Sequence, residues 1–228
     1  MSTPIFVFLY VGETTELPTI LVRSIRAVSP SARIIQCSDT RSPGIEGVDQ
    51  VARSEGNLDH LMIFRLKSFA DLAIREPAVY MDADMVCVRS IDPGMVLGDA
   101  QVAVCKREYN LKTPALYGEM DLSEYAGKTI GQVWPYVACC TVTNQPEFWA
   151  DCRDNLLALH PKYLRWFGDQ EAIRNVVAGA KYKVRHLPES IYGHLPSEKG
   201  SGSPRLLHFK GKSGKLSMIE WAKQRRLF

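Results

Sequence analysis

Asp82 and Asp84 stand one residue apart in AVYMDADMVCV, the stretch from Ala78 to Val88, which is otherwise apolar. Charge is rarely buried without a partner. Residues i and i+2 of an extended chain point to one side, roughly 6–7 Å apart, and two carboxylates so placed repel unless a cation lies between them. Oxygen ligands of this kind suit Mg2+ or Mn2+, which keep open positions for water or phosphate. The chemistry open to the pair is therefore metal-assisted handling of a diphosphate. Spacing alone also allows a turn or a helix cap just after a strand. Position separates the readings: Val79, Tyr80 and Met81 form an apolar run that stops at Asp82, and open parallel sheets bind ligands at the carboxyl ends of their strands.

Other residues stand out for their surroundings. Arg65 shares a helical stripe with Leu61, Met62, Phe69 and Leu72, where charge is unexpected. Asp169 and Gln170 open a helical segment, with Asp169 in a position to cap it. His208 sits on an apolar strand, a setting that also suits a core histidine. Residues 199–226 are rich in Lys and Arg, with Glu220 the only acid among them.

The elements that must position these residues follow from periodicity. Ile5 to Tyr10 is a continuous apolar run, as expected of a strand buried on both faces. Leu17 to Val28 has helical spacing, and Ala32 to Cys37 reads as a second strand. Ser38 to Gly47 is a polar loop. Asn57 caps a helix predicted from Leu58 to Arg75, stopped by Pro77. The opening stretch then reads as a strand ending at Met81. Strands alternate with helices over this region, which predicts a parallel sheet with βαβ crossovers. Further strands are predicted at Gln101–Lys106, Tyr136–Val142 and Tyr182–His186. Helices are predicted at Pro146–Leu159 and Asp169–Ala178. Arg107 to Gln132 is a long polar insertion of the kind that often carries function. The segment PRLLHFKGKSGK reads as a short strand entering a Gly/Lys loop, with a last helix from Leu216.

The 228 residues, 46% apolar and 23% charged, suit one large α/β domain, and the net charge of +3 implies neither nucleic acid nor membrane by itself. Six cysteines, Cys37, Cys87, Cys105, Cys139, Cys140 and Cys152, form no Cys-x-x-Cys pair. With no long apolar run and no leader-like start, the expectation is a reduced, cytoplasmic protein.

RLKSFADLAIREPAVYMDADMVCVRSID resembles the donor-binding core of glycosyltransferase family 8, the retaining enzymes of GT-A fold that include glycogenin and bacterial galactosyltransferases. FGDQEAIRNV resembles the family's Asp-Gln helix start, and LLHFKGKSGK its C-terminal His-Phe-x-Gly stretch. The resemblance implies a GT-A, Rossmann-like α/β fold: a mixed, mainly parallel sheet flanked by helices in a single domain. Residues 1–106 would form the nucleotide-sugar half, and 107–228 the acceptor side with a metal and diphosphate loop. Asp82, Asp84 and His208 would hold the metal against the donor's diphosphate, and a histidine ligand favours Mn2+ over Mg2+. Arg65 and Lys67 would contact donor sugar or phosphate, with Asp82 and Ala83 in the same donor-binding stretch. Gly211 would admit phosphate to the backbone, and Lys212 or Lys215 would neutralise the departing nucleoside diphosphate; six residues after His208, where the family has its lysine, stands Gly214. Leu9, Tyr10 and Val11 would border the base. Asp169 would grip donor hydroxyls and Gln170 lie near the anomeric face, which with Arg65 makes the implied catalytic set. Asp92 matches a further family aspartate.

The chain departs from the family's pattern at two places. Val11-Gly12-Glu13 replaces its acidic pair near the base, and Ala138-Cys139-Cys140 replaces an Asn-Ser-Gly that contacts sugar. The resemblance thus implies a transferase that uses a nucleotide sugar, UDP-linked first, acting on an acceptor hydroxyl with retention. The acceptor is expected to be a glycan, with a hydroxymethylated DNA base allowed by the basic tail. Two other classes compete. A sugar-phosphate nucleotidyltransferase needs a Gly-rich, Arg-containing loop after the first strand, which LYVGETTELP does not provide. A non-catalytic nucleotide-binding module would show no metal-dependent nucleotide affinity.

Overall fold

The apolar runs and helical stripes become seventeen elements in a computed structural model that describes residues 3–115, 123–164, 167–198 and 202–225. In chain order they are β1 (Ile5–Leu9), α1 (Glu16–Val28), β2 (Arg33–Ser38), β3 (Gln50–Arg53), α2 (Leu61–Asp71), β4 (Ala78–Met81), β5 (Met85–Cys87), α3 (Pro93–Leu97) and β6 (Val102–Lys106). There follow α4 (Ile130–Val133), β7 (Tyr136–Thr143), α5 (Pro146–Ala158), α6 (Gly168–Ala178), β8 (Val184–Pro188), α7 (Glu189–Tyr192), β9 (Leu206–His208) and α8 (Gly211–Gln224).

Seven strands form one sheet in the order β3-β2-β1-β4-β7-β6-β8. The β1–β2, β1–β4, β2–β3 and β6–β8 pairs are parallel, and β7 runs antiparallel to both β4 and β6. This is the mixed, mainly parallel α/β sheet expected. β1 shows why it had to be central. Its Phe6 and Phe8 pack with Leu21 and Ile25 of α1, while Ile5 and Val7 face the opposite layer with Leu66 and Phe69 of α2 and Trp149 of α5. Alternate residues thus meet a helix on either face.

A second, two-stranded sheet pairs β5 with β9 antiparallel. Val86 of β5 and Leu207 of β9 share a cluster with Ile20 of α1 and Met218 and Ala222 of α8. The ribbon is thereby clamped beside the main sheet.

The structure corrects several boundaries. β3 was not foreseen; it is a short strand at the sheet's edge, without a buried residue to announce it. Asn57 does cap, its Oδ1 accepting from Asp59 N at 2.9 Å, but it caps a single 3-10 turn before α2. That helix stops at Asp71, since Ala73 takes a left-handed φ of 50°, and Leu61 is half exposed instead of sharing the buried stripe. The last strand before the tail runs Val184–Pro188, two residues later than expected. Most consequentially, the predicted Gly/Lys loop is the start of α8, which begins at Gly211. Gly214 is what permits it: a Cβ there would lie 2.6 Å from the carbonyl carbon of Phe209. The long insertion contains α4 and a 3-10 turn at Ser123–Tyr125, and its residues 116–122 lie outside the described residues. Among the described residues no helix is long and apolar enough to cross a membrane.

Candidate active site

The carboxyl ends of β1 and β4 lie side by side, Phe8 opposite Met81. From β1 the chain crosses to β2 on one side, and later returns to β4 on the other, so a crevice opens between these two ends. β4 keeps its pairing one step further, with Asp82 N donating to Cys139 O at 3.1 Å. The chain then turns at Ala83 and enters β5. There Met85 pairs with His208, and Phe209 N donates to Asp84 O at 2.9 Å. The ribbon register therefore delivers His208 to the aspartates.

His208 Nε2 lies 3.6 Å from Asp84 Oδ1 and 3.8 Å from Asp82 Oδ2. One ligand atom from each residue falls within a common 4.8 Å. The imidazole is buried, while the carboxylate side chains keep 27% and 16% of their surface, so the group opens to solvent on the carboxylate side. Two carboxylate oxygens and an imidazole nitrogen, converging with an open side, fit Mn2+ and also admit Mg2+. The Nδ1 of His208 is buried with no hydrogen-bond partner.

The charges around this group shape it further. Burial pushes the Asp82 carboxyl up, against the pull of Arg65. Burial acts on Asp84 too, yet the contacts from His208 and Lys215 hold it below its ordinary value. Burial works against protonation of His208, but the Asp84 carboxylate 3.6 Å from Nε2 draws the imidazole above its usual range. A proton there does what a metal would do: it sets positive charge between two carboxylates.

Arg65 is buried, as its place on an apolar stripe required, and it faces protein groups. Its Nη2 donates to Ala138 O at 2.8 Å and lies 2.7 Å from Asp82 Oδ1 as an ion pair, and its Nη1 donates to Asp169 Oδ2 at 3.0 Å. It joins β4 to α6 across the site. Asp169 does not cap α6. Phe167 occupies the cap position with a φ of 56°, its ring stacked 4.5 Å from that of Trp134. Gly168 follows because nothing larger fits: a Cβ would lie 1.9 Å from Tyr163 O. Asp169 thus falls in the first turn, where the helix dipole favours it, and its Oδ1 accepts from Gln170 N at 2.8 Å. Gln170 Oε1 in turn accepts from Arg107 Nη2 at 2.6 Å.

The structure sorts the lysines. Lys215 Nζ is 3.7 Å from Asp84 Oδ2. Lys212 is exposed on the first turn of α8, beside Gly211, whose φ is 75°. Lys67 is not brought to the site; it pairs with Asp71 at 2.5 Å, because two residues along a helix turn it away from Arg65. Asp92 is not at the site either: it caps α3. Leu9, Tyr10 and Val11 are half-buried at the end of β1, where Tyr10 OH donates to Thr14 O at 2.6 Å. A cavity of about 440 Å3 lies next to them at the ends of β2 and β3, bounded by Asp39, Arg41 and Asn57.

Two residues here escaped the sequence reading. Arg107 is buried and links Gln170 to Trp134 O, its Nε donating at 2.8 Å. Its signal was a charge directly after the apolar strand that ends at Lys106. Lys210, the N-cap residue of α8, is exposed yet lies within electrostatic reach of Arg107, Glu189 and Asp82, and partial desolvation followed by the Arg107 charge holds its ammonium below the ordinary value. All six cysteines are free and buried. The pairing with Cys105 and burial push Cys139 well above the usual thiol range, and burial does the same to Cys140, which suits packing and not nucleophilic attack.

No protein-family model matches the chain, and no curated protein sequence matches it. Solved structures do. The WbbM bifunctional glycosyltransferase, in its apo structure, matches with a TM-score of 0.59 at 15% identity over 96% of this chain and 50% of that one. The chain thus spans half the length of that protein. The galactosyltransferase LgtC, in complex with donor and acceptor sugar analogues, matches with a TM-score of 0.55 at 12% identity over 96% of this chain and 95% of that one. At these identities the likeness establishes the fold, which is GT-A.

Proposed function

We propose that this protein is a metal-dependent glycosyltransferase that moves a sugar from a nucleoside diphosphate donor, UDP-linked foremost, to an acceptor hydroxyl. One observation carries the reading: Asp82, Asp84 and His208 converge at the carboxyl end of β4, in the crevice where an open sheet takes its ligands. The fold shared with two glycosyltransferases supports it.

Asp82, through the oxygen that Arg65 leaves unengaged, would hold the cation with Asp84 and His208. A bound Mn2+ or Mg2+ supplies Lewis-acid charge that stabilises the leaving diphosphate. Lys215, already beside Asp84, adds a second positive charge on the same side, ahead of Lys212. The first turn of α8 offers backbone N–H groups to phosphate. Arg65 acts as a positioning residue, since its guanidinium donates to Asp169 and Ala138 and pairs with Asp82. Asp169 keeps free lone pairs for sugar hydroxyls. Gln170 has its oxygen on Arg107 and so turns its amide N–H groups elsewhere, toward the reacting sugar in this reading. The nucleoside extends past Tyr10 toward the cavity at the ends of β2 and β3. Transfer proceeds with retention, and the acceptor is a glycan, received by the 107–228 half.

A donor screen tests this. The protein is incubated with UDP-, GDP- and other nucleotide sugars, with Mn2+ or with EDTA, and released nucleoside diphosphate is measured. Metal-dependent release from at least one donor is expected. Neither hydrolysis nor metal-dependent binding with any donor would overturn the proposal.

A further inference from the structure

A second cavity, of about 470 Å3, lies outside the candidate active site. It opens between β8, the last strand of the main sheet, and α3, at the far end of the β5–β9 ribbon. Val88 N donates to Arg205 O at that end at 2.9 Å, whereas His208 sits at the near end, about 10 Å of strand away. The volume falls within the range of small-molecule pockets, roughly 300–1,000 Å3.

Its walls combine positive charge with apolar surface. Arg185 and Arg205 line it together with Tyr192 and Met95. Backbone carbonyls hold both guanidinium groups in place. Arg185 Nη1 donates to Val96 O at 3.0 Å, and Arg205 Nη1 donates to Ser90 O. Gly98 makes the first of these possible: its φ is 60°, and a Cβ there would crowd Arg185 Nη1 at 3.2 Å. Among the described residues Asp92 is the only carboxylate in the lining, and its Oδ1 is engaged by Met95 N at 3.1 Å. Desolvation and the Lys106 charge hold the His186 imidazole below its ordinary value, which works against positive charge there. Arg185 is exposed and also feels Asp99, which pairs with Lys183, so the two guanidinium groups leave the described lining with a positive excess over Asp92. A guanidinium group recognises phosphate or carboxylate, and two line this cavity. The Tyr192 ring and Met95, 78% exposed at the rim, offer the apolar surface on which the C–H face of a sugar ring packs.

We infer that this cavity binds a sugar bearing a phosphate or a carboxylate, at a site separate from the Asp82–Asp84–His208 centre. The assignment rests on the cavity itself and is read by binding, so its failure leaves the glycosyl-transfer proposal untouched. The full chain is titrated calorimetrically, in EDTA to keep the metal centre empty, with glucose 6-phosphate, glucuronate, glucose and inorganic phosphate. Glucose 6-phosphate or glucuronate is expected to bind at least about tenfold more tightly than glucose and inorganic phosphate. Met95→Glu places a carboxylate on an exposed rim without touching the core, and Arg185→Gln removes one guanidinium; either should weaken binding about tenfold. The inference is overturned if neither charged sugar binds, if glucose or inorganic phosphate binds as tightly, or if both variants bind like the parent.

Discussion

Arg65 shows how one side chain can tie together two elements that build a site. It is buried between Asp82 on the strand side and Asp169 on the helix side, with distances of 2.7 and 3.0 Å. Removing one partner of such a set leaves charge uncompensated in a dry place. Arg65→Ala should therefore cost about 3–5 kcal/mol of stability. Because Asp169→Ala removes part of the same network, the double variant should lose less than the sum of the two single changes. Urea unfolding of the four proteins measures this, and additive losses would show that Arg65 and Asp169 do not act as a unit.

At the scale of elements, the start of α8 decides where Gly211, Lys212 and Lys215, the residues proposed to face phosphate, stand. A helix interior prefers Ala to Gly by about 1 kcal/mol, so propensity alone favours Gly214→Ala. Contact opposes it, because the new methyl would meet the Phe209 backbone at 2.6 Å, one residue from His208. The expected outcome is a loss of about 1–3 kcal/mol by overpacking, together with weaker Mn2+ binding as β9 shifts. Gly211→Ala has open space around it and a φ of 75°, so it should lose only the left-handed strain of about 1–2 kcal/mol. Thermal denaturation and Mn2+ titration of both variants separate these effects. The same two glycines explain why KGKSGK reads as a loop in sequence. Glycine signals a break unless something packs against it.

For the molecule as a whole, the Asp82–Asp84–His208 group couples pH to stability. His208 lies well above its ordinary value in the fold, and burial raises Asp82 as well. In both groups the protonated form is the one the metal-free fold favours. For His208 that stabilisation is complete below its unfolded value of about 6.5 and is lost as pH rises through the folded value. A metal takes the imidazole only once it is deprotonated. The metal-free protein should therefore lose stability from about pH 6 to about pH 8, while the rise in Tm caused by Mn2+ should grow over the same interval. At about a hundredfold excess over its Kd, Mn2+ adds about 2.7 kcal/mol. Thermal melts with and without Mn2+ at the two pH values test this, with Asp84→Asn as the variant in which the Mn2+ effect should vanish. An equal Mn2+ shift in that variant would remove Asp84 from the ligand set.

Much of this was written locally. Alternating apolar runs and helical stripes specify β1, α1, β2, β4, β7 and α5, because burial on a strand or helix face repeats with a fixed period. The end of β4 at Met81, and hence the two aspartates at its carboxyl edge, follow from the same pattern. The tertiary structure alone decided the rest. It turned Arg65 onto two carboxylates and Lys67 outward, moved the cap of α6 from Asp169 to Phe167, set Lys215 beside Asp84, and brought Arg107 to Gln170. Each of these depends on contacts between segments far apart in the chain, such as Arg65 with Asp169 or Asp84 with His208, and on which way a side chain points. No local period encodes such contacts; they exist only once the β5–β9 ribbon and α6 have packed onto the sheet.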